Sequence, residues 1–320
     1  MNLRQIQTLC EIVDCGLRVS GAAEATNRSQ PSVSRQIKDL EEELGFLLFS
    51  RKRNKILGLT PKGEEILKMA RRIVQEAENM RRFGRDSSVA EEGELTLATT
   101  HTQARYVLPQ VIQRFVKRYP RVRLTLLQGN PVQCRQMIVS GAADIAICAE
   151  VNTPSGEILD IPCYRLHRAV ITPVKHPLLD QPRLTLKLLS EYPIITYGDG
   201  YSARLVIDHT FSDAGFKPNI VMRAIDADVS KAYVEMGMGI AILANVAFSP
   251  RKDSGLRRIK ADHLFASSLL SVVVRRNVFL PRYMLSFITM FAPHQDRKII
   301  EKAIAEGIVE TIQPDKLPSL

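Results

Sequence analysis

The chain lacks long hydrophobic runs. None of its 320 residues falls in an uninterrupted apolar stretch approaching about 18, the length a membrane-spanning helix needs, so no membrane is expected as a partner. The opening residues, MNLRQIQTLCEIVDCG, are broken by charges and do not read as a secretory leader. Cytoplasmic residence is the expectation. Cysteine is scarce: five residues at 10, 15, 134, 148 and 163 form an odd, scattered set that reads as reduced core thiols. They do not combine with the dispersed histidines at zinc-site spacing. Catalytic signatures are also missing. There is no Gly-x-Ser-x-Gly elbow, no phosphate-cradling Gly-x-x-x-x-Gly-Lys loop and no HExxH helix. Met236-Gly237-Met238-Gly239 is too poor in glycine for a nucleotide loop and reads as a tight helix-to-strand turn. No enzyme, cofactor or metal is expected.

Acidic charge is in deficit. Lys and Arg number 44 against 34 Asp and Glu, a net of +10, which favours polyanionic partners. The excess is spread out: residues 1–90 carry 16 basic and 12 acidic side chains, a net of +4, and the remainder of the chain carries +6. The sharpest cluster is Arg51-Lys52-Arg53-Asn54-Lys55.

What is present starts with GAAEATNRSQPSVSRQIKDLEEELG, residues 21–45. Val33, Ile37, Leu40 and Leu44 recur at spacings of four, three and four, one apolar stripe of a helix. Ser29 suits its cap, Pro31 its first turn and Gly45 its end. The alanines at 22, 23 and 25 let a preceding short helix approach closely. Two helices joined this way form a helix-turn-helix, whose second helix enters a DNA major groove. Its outward positions include Ser32, Ser34, Arg35 and Gln36, with Gln30 and Pro31 at the turn. Arg and Gln carry paired groups that match guanine and adenine edges. The same residues are also common on any solvated helix face.

A first helix over 2–15 precedes this pair. Phe46 to Phe49 form an apolar plug, and the basic run follows between two short extended pieces. That pattern predicts a β-wing whose Arg51 and Arg53 neutralise phosphates. Thr60-Pro61 opens a long helix to about Arg85, with Ile66, Ala70, Ile73, Ala77 and Met80 as a narrow seam suited to dimerisation. A helix packed on its own domain is the alternative. Asp86 to Gly93 reads as a polar linker.

Beyond it, strands and helices alternate, which predicts a largely parallel α/β sheet. Strands are expected at 95–98, 122–127, 143–149, 168–172, 194–197, 219–224, 240–243 and 269–274. Helices are expected at 103–119, 131–140, 184–189, 202–214, 227–236 and 282–291. A second lobe is expected from near Cys163. The late elements return to the first lobe, leaving a cleft between two lobes. Residues 296–320 read as a short helix and a loose tail. The strand at 95–99 should end at the cleft, where Thr100, His101, Thr102 and Gln103 start a helix. Tyr201-Ser202 opens a helix in the other lobe. Two helix starts across one cleft suit an anion, although Thr and Ser there also serve as plain helix caps. His101 lacks any partner placed by spacing and reads as a donor or structural residue.

The order and spacing of AAEATNRSQPSVSRQIKDLEEELG, FLLFSRKRNK and LTPKGEEIL resemble the LysR-type transcriptional regulators over residues 1–70. Within that family, ATTHTQARYVLPQVIQRFVKRYPRVRLTLLQGNP (98–131) is similar to the CysB-like branch. The resemblance implies a winged helix-turn-helix over 1–59, a linker helix over 60–88 and a periplasmic-binding-protein-like effector domain over 92–295. The first lobe would take 92–162 and 266–295, and the second 163–265. It implies a sequence-specific DNA-binding regulator of sulfur assimilation, working as a dimer of dimers on an operator duplex, with RNA polymerase as a further partner. Its effector would be sulfate, thiosulfate, an acetylserine or a related metabolite, held by Thr100, Thr102, Gln103 and Ser202. The branch often has threonine where this chain has Ala149 and Ser202. The alternative is a two-lobed small-molecule-binding protein or enzyme without a DNA role.

Overall fold

The computed structural model describes residues 1–52, 55–86, 92–151, 156–198, 200–276, 278–307 and 316–320. It divides into two compact units, 1–89 and 90–320. In the first unit, α1 (Leu3–Asp14), α2 (Val19–Ala25) and α3 (Gln30–Leu44) are followed by the hairpin β1 (Phe49–Lys52) and β2 (Lys55–Leu59), then α4 (Pro61–Asp86). Val33, Ile37 and Leu40 of α3 are buried, together with Leu9, Ile12, Ala22, Leu48 and Phe49. Ala22 and Ala23 carry no more than a methyl, which permits the close crossing of α2. Ser29 caps α3 by accepting from the Ser32 N–H at 3.4 Å. Gly45 ends the helix in the left-handed conformation, φ +75. Gly63 allows α4 to touch the segment leading into the hairpin: a Cβ there would lie 2.1 Å from the Leu48 carbonyl oxygen.

Two expectations change here. Gln36 does not face outward, because its amide oxygen accepts the Thr8 hydroxyl of α1. The α4 seam splits. Ile66 and Ala70 pack on the unit's own core with Leu67 and Val74, while Ile73 and Met80 are exposed with Met69. At 3.6 residues per turn Ile66, Leu67, Ala70 and Val74 share one face of the helix, and Met69, Ile73 and Met80 fall on an adjacent one.

The second unit holds two five-stranded sheets. The first has strand order β4-β3-β5-β12-β6, built from β3 (Gly93–Thr99), β4 (Val122–Gln128), β5 (Ile145–Ala149), β6 (Ile158–Leu166) and β12 (Ser268–Arg275). β3 runs parallel to β4 and β5, whereas β12 is antiparallel to β5 and β6. The second has order β11-β7-β10-β8-β9, from β7 (Arg168–Pro173), β8 (Ile194–Tyr197), β9 (Ile220–Ala224), β10 (Ile240–Ala244) and β11 (Leu256–Lys260). Helices α5 (Pro109–Arg118), α6 (Pro131–Ser140), α7 (Leu186–Ser190), α8 (Ser202–Asp213), α9 (Ala227–Glu235), α10 (Arg282–Phe291) and α11 (Arg297–Glu306) cover the sheets. Among the described residues, no helix is long and apolar enough to cross a membrane.

The chain crosses between lobes at His167, not near Cys163. Cys163 lies within β6, which stays paired to β12 as far as Leu166. Asp160 and Pro162 interrupt the apolar pattern of β6 and hide it from a reading by periodicity. Residues 103–119 do not form one helix. A π-helical turn, Gln103–Val107, closes with the Leu108 N–H donating to the Gln103 carbonyl at 2.9 Å. Pro109, which has no N–H to continue the ladder, then starts α5. The tail is not loose where it is described. The Arg165 N–H donates to the Pro318 carbonyl at 2.9 Å and the Leu320 N–H to the Arg165 carbonyl at 3.0 Å, alongside the edge strand β6.

Candidate functional site

On α3, the stripe that enters the core leaves Gln30, Pro31, Ser32, Ser34 and Arg35 exposed on the opposite side. All five fall in the first two turns, the part of a recognition helix that meets base edges. Arg51, on the wing strand β1, has a second commitment. Its Nη2 lies 3.1 Å from Glu41 Oε2, and that buried carboxylate also accepts the Leu48 and Phe49 N–H groups at 2.8 and 3.2 Å. Lys52 and Lys55 are exposed on the same hairpin. Arg53 lies outside the described residues.

In the second unit, Thr100, Thr102, Gln103 and Ser202 line a single cavity of about 50 Å³ between the lobes. A water needs roughly 10–15 Å³ on this measure, so the space suits a few waters or one small oxyanion. Ala149 is also in its wall. β3 delivers the threonines: it ends at Thr99, and the chain turns into helix immediately afterwards. Thr100, Thr102 and Gln103 are buried, with N–H groups at a helix start. α8 begins at Ser202 in the other lobe. Pro131, first residue of α6, brings a third helix start to the same wall. The lobes approach closely at Gly200. A Cβ there would lie 2.7 Å from the Asn130 amide nitrogen, and its φ of +86 also favours glycine.

Sequence reasoning missed the strongest charge in this cavity. Arg168, first residue of β7, lines the wall and is 4% exposed. Its Nη2 donates to Ser268 Oγ at 2.7 Å and its Nη1 to the Ala266 carbonyl. Its Nε has no hydrogen-bond partner among the described residues, and neither does the buried Oε1 of Gln103. No carboxylate among the described residues lies within ion-pair distance of Arg168, although Glu150 is near enough to raise its pKa. Burial lowers its pKa to about 10, so at neutral pH it remains a cation. An unpaired buried charge is costly and is normally matched by a counter-ion. The available signal was a lone arginine opening the apolar run AVI. Tyr197 and Tyr201 stack at 5.2 Å on the second-lobe side. Burial pushes the Tyr197 phenol up, against hydrogen bonds from the Ala244 N–H and the Thr102 side chain.

A helix-turn-helix with an exposed polar recognition face, followed by a two-lobed ligand-binding fold, defines a ligand-responsive transcriptional regulator. Residues 3–64 match the bacterial regulatory helix-turn-helix protein of the lysR family, and residues 89–296 match the LysR substrate binding domain. The chain belongs to the LysR family of DNA-binding transcriptional regulators. It is 42% identical over 304 residues to the HTH-type transcriptional regulator CysB of Burkholderia cenocepacia, covering 95% of this chain and 97% of that one. It is also 42% identical to the regulator SsuR of the same organism, with 96% and 100% covered. The Escherichia coli regulator cbl is 34% identical, with 98% and 99% covered. Among solved structures, the cofactor-binding domain of the Cbl transcriptional regulator superposes with a TM-score of 0.64 at 34% identity, covering 67% of this chain and 94% of that one.

Proposed function

We propose that this regulator controls sulfur-assimilation genes and that its effector is a small anion held between the lobes: sulfate, thiosulfate, or an acetylserine through its carboxylate. The observation that carries this reading is Arg168, a buried cation without a carboxylate partner in the wall of a cavity sized for an oxyanion. The Thr100 and Ser202 hydroxyls supply neutral donors, Thr102 shares its hydroxyl with Tyr197, and the helix starts at Thr102 and Ser202 supply N–H groups. Gln30, Pro31, Ser32, Ser34 and Arg35 meet the operator, with Lys52, Arg53 and Lys55 beside the phosphates and Arg51 held largely by Glu41. His101 is not among the cavity-lining residues, so the site reads as one that binds rather than transforms its ligand.

A dimer or dimer of dimers follows from the exposed Met69, Ile73 and Met80 of α4. Lobe closure on the anion favours one arrangement of the DNA-binding units over another, a population shift set by differential affinity. That change would then be passed to RNA polymerase, in the cytoplasm. The test is operator binding by the purified full chain, titrated with sulfate, thiosulfate, acetylserines and adenosine phosphosulfate. At least one should change operator affinity or footprint, and Arg168→Met should abolish that response. No response to any of the four overturns the effector assignment.

A further inference from the structure

The loop that carries Thr100 and Thr102 is held from the opposite lobe. His101 lies between these two cavity residues but turns elsewhere. Its Nε2 is 2.8 Å from Asp228 Oδ2, in the first turn of α9 in the second lobe. The same carboxylate receives Arg105 Nε at 2.8 Å and the Tyr106 hydroxyl at 2.5 Å, both carried by the π-helical turn that continues the loop. The Tyr106 ring packs on the second lobe's apolar core.

Asp228 is itself firmly placed. Lys231, one helical turn further along α9 and only 5% exposed, lies 3.2 Å from Asp228 Oδ1. It also donates to the Tyr106 hydroxyl at 2.7 Å, the Ala247 carbonyl at 2.8 Å and Asp253 Oδ1 at 2.9 Å. Burial alone would push Asp228 up. Hydrogen bonds from Tyr106, His101 and Lys231 outweigh that and hold it at about 2, so it is anionic throughout the neutral range. His101, Asp226 and Asp228 are close enough to one another to ligate a metal. Arg105 and Lys231 already neutralise Asp228, however, and an added cation would have to displace them.

We propose that Asp228 is the positioning residue of the effector loop: acting through His101, it orients Thr100 and Thr102 toward the cavity and sets the affinity for the anion. The proposal rests on reading the cavity as an anion site. Thr100 and Thr102 line the cavity and His101 between them does not, so a held His101 ring holds both threonines in the cavity wall. Because Asp228 belongs to the second lobe, the loop is ordered only while the lobes are together. Asp228 never touches the ligand.

The experiment is calorimetric titration of the full chain with sodium sulfate, for the parent, Asp228→Asn, His101→Ala and the double variant. Each single variant should bind sulfate about tenfold more weakly. The double variant should be no weaker than His101→Ala alone, because both changes remove one chain of contacts. A purely structural Asp228, stabilising the domain through Tyr106 and Lys231, would instead add its loss to that of His101. Such additivity, or parent-like affinity in Asp228→Asn, overturns the proposal. Should Asp228→Asn fail to fold, His101→Ala decides alone, and parent-like affinity there overturns the proposal. A parent that binds none of sulfate, thiosulfate and acetylserine, titrated in turn, removes the anion reading and this proposal with it; parent binding beside an unaffected variant removes this proposal only.

Discussion

The two proposed binding faces use positive charge in opposite ways. On α3 and the wing, Arg35, Lys52 and Lys55 stand in solvent, while Arg168 is shut into the interlobe wall at 4% exposure. An exposed charge costs nothing to maintain, and at physiological salt it is screened beyond about 8 Å. DNA therefore has to be held by many such contacts, each weak and salt-dependent. A buried charge is costly while empty but interacts strongly with whatever enters, because little water screens it. One residue can then dominate the site. The contrast is between additive surface recognition and a single committed group.

The sharpest way to break that contrast is at Arg168. Arg168→Met keeps the aliphatic stem and removes the charge. A hydrogen-bonded charge contact contributes about 1.5–3 kcal/mol, so sulfate binding should fall by roughly ten- to more than a hundredfold. The thermal midpoint without ligand should change little: the buried charge is gone, but the Ser268 hydroxyl and the Ala266 carbonyl lose their donor. Calorimetry and a melting curve on the same sample read both. A large drop in the ligand-free midpoint with intact sulfate binding would make Arg168 a structural residue.

Next in size is Arg35→Ala on the exposed side. A lost bidentate base contact costs about 1–3 kcal/mol of discrimination. Anisotropy titrations should show specific duplex weakened far more than random duplex, with no change in effector affinity. Equal losses on both duplexes would make Arg35 a phosphate anchor.

The contrast also explains what could be read from the sequence. The proposed DNA face is local: its cap, stripe and exposed residues all lie in Ser29–Gly45, so helical spacing alone separates Val33 and Ile37 from Ser32 and Arg35. The cavity is assembled from residues as distant as Thr100, Arg168 and Ser268, and helical or strand periodicity carries no information on such a meeting. Thr100, Thr102, Gln103 and Ser202 came together in it because each follows a strand end or opens a helix, positions that chain order does reveal. Arg168 escaped because it opens a strand that otherwise reads as buried and apolar. β6 and β11 escaped because Asp160 with Pro162, and Arg257 with Arg258, disguise them as surface loops. Pro109 was visible, and a proline at that place argues for a break between residues 103 and 119.

A smaller effect is expected where the lobes touch. Gly200→Ala adds a methyl at φ +86 and brings it within 2.7 Å of the Asn130 amide. The left-handed conformation alone costs an alanine about 1–2 kcal/mol. Asn130 has little freedom to retreat, because it caps α6 by accepting the Gln133 N–H at 2.9 Å. The lobes should close less well, and sulfate affinity should fall severalfold while operator affinity without effector is unchanged. Unchanged sulfate affinity would show that binding does not need this approach.

The smallest expected effects lie on the wing, where three cations look alike in sequence and differ in structure. Lys52 and Lys55 are exposed and free of charged partners among the described residues, whereas Arg51 answers the buried carboxylate of Glu41. Lys52→Ala and Lys55→Ala should each lower the slope of log affinity against log salt by roughly one unit, with no measurable change in stability. Arg51→Ala should do something different. It leaves Glu41 with two backbone donors and no cation, so the first unit should lose stability. Arg51 is partly exposed and water screens the pair, which places the loss at roughly 1 kcal/mol, near the top of the range for accessible ion pairs. Its salt slope should change by less than one unit, because a guanidinium tied to Glu41 reaches a phosphate only by giving up that contact. Chemical denaturation and salt-dependent anisotropy on the three variants separate the two roles. A full unit of slope lost by Arg51→Ala, with parent-like stability, would place all three cations on the DNA backbone alike.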